Sequence, residues 1–182
     1  MRAIRRLTAT TASIALATAG LIAATGSTAH ATAASTTATC SQAYLPRPVS
    51  SCQPGALNPN VTQANIHSTI CVGGYSSSIR PSTSYTNALK VKQIAEYGYA
   101  DTNTADYEED HLVALSLGGN PTSPQNLWPE PRYQAGGSTA GDKDTVEYKL
   151  YKAVCAGTIQ LAPAQRAIAT DWTTALAAVG LN

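Results

Sequence analysis

No stretch of the 182-residue chain is apolar for long enough to cross a bilayer, which takes about 20 residues in a helix. No CxxC occurs, so the four cysteines lack the spacing of a structural zinc site. Internal repeats are absent, which removes solenoids and arrays. Positive charge is scarce: 12 lysines and arginines stand against 11 acids. Three of those bases, Arg2, Arg5 and Arg6, sit in a segment expected to be removed, and the remaining 9 against 11 acids give a net charge near −2. Such a balance offers no global field for a polyanion, so any hold on one must be local or come through a bound cation. Nor does any helix carry the basic face of a sequence-specific DNA reader.

The amino terminus carries an export signal. The three arginines are followed by a charge-free apolar run from Ala15 to Ala24, and Ala29-His30-Ala31 places small residues where a signal peptidase reads. Residues 1–31 are therefore expected to be a signal peptide cleaved after Ala31, and Arg5-Arg6 leaves a twin-arginine route open. The expected localisation is secreted, extracellular, with no membrane association and a monomeric state. Residues 32–51, beginning in Ala, Thr and Ser without periodicity, read as a flexible leader, and 52–182 as a single domain.

An even count of cysteines in an oxidising compartment reads as two disulfides. Of three possible pairings among Cys40, Cys52, Cys71 and Cys155, the favoured one closes a local loop from Cys40 to Cys52 and ties Cys71 to a late helix through Cys155. Ser82 to Tyr97 has a capping start, apolar Leu89, Val91 and Ile94, and Gly98 as a stop, which predicts a helix. Tyr107 to Leu117 predicts a strand, Gly118-Gly119-Asn120-Pro121 a turn, and Asn126 to Trp128 a short returning strand. Val146, Leu150, Tyr151 and Val154 mark a helix from about Thr139 to Cys155, and another runs from Pro163 to about Val179. The class is α+β with little sheet. Trp128 and Trp172 are expected in the core, and His67 is expected to be exposed or structural.

Chemistry concentrates in Glu108-Glu109-Asp110-His111. A carboxylate beside an imidazole suits metal-assisted hydrolysis, the acid holding a cation while the imidazole takes a proton from water. Asn126, returning on the second strand, is placed to orient that ring. Together with Gly118-Gly119 and Asn126-Leu127, the stretch YEEDHLVALSLGGNPTSPQNLWPEPR followed by KDTVE resembles the HNH nuclease core, the ββα-metal fold, in its DH…GG…NL form. The wider region from Cys52 to Trp172 looks like actinobacterial secreted proteins that carry this core.

The resemblance implies an HNH-like core, a short antiparallel hairpin plus a helix, with flanking helices and disulfides. It also implies phosphodiester hydrolysis of DNA or RNA with low sequence specificity, leaving a 5′-phosphate. His111 matches the general base, Asp110 the metal-binding acid and Asn126 the central asparagine. The family's third element departs: no histidine follows His111, and no asparagine lies between Asn126 and Asn182. Asp142 and Asp144 are the candidates to replace it, as oxygen ligands for Mg²⁺, with Mn²⁺ or Ca²⁺ as alternatives. Arg80 and Lys143 are the expected phosphate contacts. Two rival readings are a catalytically degenerate binding module on the same fold and a structural or interaction protein of the cell envelope.

Overall fold

A computed structural model describes residues 39–181 of the chain. The expected signal peptide and its cleavage point lie outside them. The leader expected to reach residue 51 is folded from Thr39 onward: the Cys40 N–H donates to the Glu96 carbonyl, Gln42–Tyr44 form a 3₁₀ turn, and Cys40 is buried. Its polar composition conceals this order, because the segment is held by its disulfide and by the surface it covers rather than by a core of its own.

Helix α1 spans Tyr75–Ile79 and α2 Thr83–Tyr97. Ser82 caps α2 by accepting from the Tyr85 N–H, and Gly98, in the left-handed region at φ 63°, ends it. Strands β1, Tyr107–His111, and β2, Leu127–Pro131, pair antiparallel with Asp110 opposite Trp128 and His111 opposite Leu127. Helix α3, Ala140–Cys155, follows, then α4, Leu161–Asp171, and α5, Ala175–Ala178. The result is mixed α+β with one two-stranded sheet among the described residues.

Two predicted elements are shorter than expected. The strand from Tyr107 stops at His111 because the Asn126 side chain takes over the backbone of Val113, accepting from its N–H at 2.9 Å and donating to its carbonyl at 3.0 Å. Those groups are lost to the strand ladder, and Leu115–Leu117 turns as a 3₁₀ helix. The last helix breaks after Asp171, whose carboxylate accepts from the N–H and hydroxyl of Thr173 and so competes with helical bonding. Gly119 is fixed by space: a Cβ there would stand 1.7 Å from the Val113 carbonyl oxygen.

Two apolar clusters flank the hairpin. One joins Val61, Ile66, Val113 and Leu117 to Leu150, Val154, Ile168 and Trp172 of the later helices. The other packs Ile94, Tyr97, Tyr99, Tyr107 and Trp128 beneath Cys40. Both tryptophans are buried, as expected, and His67 is exposed.

Disulfides join Cys40 to Cys52 and Cys71 to Cys155, the favoured pairing. No helix among the described residues is long and apolar enough to cross a membrane. Loop closure makes the bridges unequal, since they enclose separations of 12 and 84 residues. Thermal unfolding of Cys71→Ser/Cys155→Ser is expected to show a loss of about 2–5 kcal/mol. Cys40→Ser/Cys52→Ser should lose less, and an equal or reversed order would refute the loop-length account.

Candidate functional site

Successive side chains of β1 take opposite faces. Asp110 turns toward α3, where Lys143 Nζ donates to its Oδ2 at 2.6 Å. The same ammonium donates to the His111 carbonyl at 2.9 Å and to Glu147 Oε1, one helical turn along. Three N–H groups therefore meet three acceptors, on a side chain only 1% exposed. Burial alone would lower the Lys143 pKa. The carboxylates of Asp110, Glu147 and Glu130 outweigh that and hold the ammonium charged.

Glu130, opposite Glu108 on β2, is 3% exposed and feels the charge of Asp110. Burial, and then the Asp110 charge, push its carboxyl well above the usual range, and its Oε1 has no partner among the described residues. Burial also raises Glu147, against the pull of the ammonium.

His111 is 4% exposed, and burial lowers its pKa, which keeps the imidazole neutral near pH 7. Its Nε2 lies 3.0 Å from the Pro121 carbonyl. A carbonyl only accepts, so Nε2 carries the proton and Nδ1 keeps the basic lone pair. A cleft of about 150 Å³ is lined by His111, Asp110, Arg80, Ser76, Ser116 and Glu147, among others. Arg80 makes no ion pair among the described residues, and its charge bears on both His111 and Asp144.

Thus Asp110, His111 and Arg80 share one cleft, while three other expected site residues act differently. Asn126 does not touch the imidazole; it clamps Val113 and donates to the Asn120 carbonyl, and so holds the turn whose Pro121 carbonyl orients the ring. Lys143 is not a surface phosphate contact but a buried counter-ion. Asp142 caps α3, its Oδ2 accepting from the Thr139 N–H at 2.8 Å and from the Thr139 hydroxyl at 3.0 Å, and it does not line the His111 cleft. Asp144 is exposed and borders the neighbouring cleft with Glu147.

Glu130, Glu147, Ser76 and Ser116 escaped the sequence reading. The i,i+4 spacing of Lys143 and Glu147 was the available signal. The gathered donors, Asp110, Glu147 and the orphaned Glu130 oxygen, are hard oxygens of the kind Mg²⁺ and Ca²⁺ prefer. Among the described residues, however, no three His, Cys, Asp or Glu side chains converge as a ready ligand set. No protein-family model, curated protein or solved structure matches the chain.

On the opposite face of β1, both Glu109 oxygens are buried without a partner among the described residues, and burial pushes its pKa up to about 8. The unfolded chain ionises this group near its ordinary value while the folded chain keeps it protonated, so it lowers stability increasingly as pH rises from about 4.5 toward 8. Glu109→Gln is expected to leave urea stability unchanged at pH 4 and raise it by about 2 kcal/mol at pH 8; a pH-independent effect would overturn the assignment. Lys143→Met, which strands Asp110 and Glu147 as buried anions, should cost about 3–5 kcal/mol at pH 7. Its deficit should shrink near pH 3, because burial raises the Glu147 carboxyl and its protonation there removes a buried charge.

Proposed function

We propose that the protein is a secreted phosphodiester hydrolase of the HNH type, acting on nucleic acid with low sequence specificity and requiring a divalent cation. The observation that carries this reading is the neutral His111 imidazole, fixed through Nε2–H to the Pro121 carbonyl, in a cleft that also holds Asp110 and Arg80, the latter without an ion pair among the described residues. In this reading His111 Nδ1 accepts the proton of a water whose oxygen attacks phosphorus, and the bond to the leaving oxygen breaks, that oxygen keeping the electron pair and taking a proton from solvent. The Arg80 guanidinium steadies the phosphate oxygens, where a planar donor fork fits two of them.

The divalent cation, Mg²⁺ with Mn²⁺ or Ca²⁺ as alternatives, would be held by Asp110 with Glu147 or Asp144. When bound it supplies charge neutralisation at the phosphate. Two disulfides support an oxidising compartment, the one that export through the expected signal at residues 1–31 would reach. One observation favours a second reading, a binding module without catalysis: the Lys143 ammonium already holds Asp110 and Glu147.

Plasmid DNA and RNA incubated with the mature protein in Mg²⁺, Mn²⁺, Ca²⁺ or EDTA should be cleaved only with metal. His111→Ala should reduce the rate by at least about 100-fold. Equal, metal-independent background in both proteins would eliminate the hydrolase and leave the binding module.

A further inference from the structure

A second cleft, of about 320 Å³, opens beside the first and shares Ser76, Ser116 and Glu147 with it. That volume sits at the lower end of the roughly 300–1,000 Å³ usual for small-molecule sites. Its walls differ in chemistry from those of the His111 cleft. Tyr148 and Tyr151 of α3 face the segment of Ile70, Val72 and Gly73-Gly74, and Asp144 and Glu147 stand one helical turn before the two rings. Tyr148 is 63% exposed and Val72 46%, with no hydrogen bond to the Tyr148 hydroxyl among the described residues.

Two carboxylates make a poor wall for phosphate, and the two rings present apolar faces on which a flat group can lie. Both suit a flat heterocycle, which stacks on an aromatic face and donates amino and imino N–H groups to a carboxylate. Continuity with the Arg80 and His111 cleft places such a ring next to a phosphate, as in a nucleotide.

We propose that this second cleft is a nucleobase subsite, in which an unpaired, amino-bearing base, guanine above all, stacks on Tyr148 and donates to the exposed Asp144 carboxylate, leaving Glu147 to the neighbouring cleft. The inference rests on the phosphodiesterase reading for its neighbouring phosphate, and it adds a substrate class: single-stranded or locally unpaired nucleic acid. Guanine offers N1–H and an amino group on one edge, a pair that matches a carboxylate. Uracil and thymine present two carbonyls and one N–H, and a carboxylate repels them.

The test is a chemical-shift titration of the mature, ¹⁵N-labelled protein in EDTA with 5′-GMP, 5′-UMP and inorganic phosphate. GMP should bind more tightly than UMP or phosphate, with shifts at residues 144–151 and 72–77. Tyr148→Ala, a change at an exposed side chain, should weaken GMP about tenfold, the scale of one lost base–aromatic stack, and leave phosphate unaffected. Asp144→Asn should narrow the GMP-to-UMP ratio, while Tyr44→Ala, elsewhere on the surface, should change neither. Equal binding of the three ligands, binding of none, or an unaltered GMP affinity in Tyr148→Ala overturns the subsite. Plasmid cleavage that persists alongside such a result leaves the hydrolase reading standing. GMP binding without cleavage keeps the subsite and removes the hydrolase.

Discussion

The Lys143 ammonium sits where β1 meets α3, and the geometry on both sides of the clefts follows from it. Taking an ammonium out of water costs several kcal/mol, a cost offset here by Asp110, Glu147 and the His111 carbonyl. Because one of those acceptors is main chain, the bond fixes the backbone of the histidine as well as the neighbouring acid. Because two of the three acceptors belong to β1, α3 cannot rotate without breaking those bonds. The far end of α3 is tied independently, through Cys155 to Cys71 just before the glycine pair that faces Tyr148 across the second cleft. An ion pair at one end and a covalent bond at the other thus set the spacing of the two walls.

The imidazole is oriented by a longer chain of causes that begins with Asn126. Its amide spans Val113 on one side and the Asn120 carbonyl on the other, which closes the turn between the strands. Gly119 permits the approach, since any side chain there would collide with Val113 and with the Asn126 amide. The residue after Asn120 is Pro121, whose carbonyl then meets His111 Nε2. Asn126 therefore sets the tautomer of the ring without touching it.

The helices that are amphipathic and capped were legible from sequence: α2 begins and ends at the predicted Ser82 and Gly98, and α3 lies within a residue of its predicted bounds. The pairing of the cysteines and the meeting of Asp110 with His111 in one cleft were legible too. What failed depends on where a polar side chain ends up. A lysine in the first turns of a helix ordinarily lies in water, and only the facing acids on β1 and β2 explain its burial here. Asp142 and Asp144 look alike in sequence, yet one is consumed by the cap of α3 and the other left open beside a cleft. The fold of residues 39–51 was hidden because its order is tertiary, held by Cys52 and by the Cys40 N–H on the end of α2.

Net charge and cleft chemistry bear on each other. Residues 32–182 carry 9 lysines and arginines against 11 acids, so long-range attraction gives little help in capturing a polyanion. Arg80 is the cation that lines the first cleft among the described residues, and the second is walled by tyrosines and acids. A surface with few phosphate contacts also displaces few counterions, so its affinity depends only shallowly on salt. On the proposed reading, recognition must draw on the flat faces and amino edges of bases, which a paired duplex keeps stacked and occupied. The acids that weaken this protein as a general binder of nucleic acid are therefore the groups that would make it selective for unpaired strands.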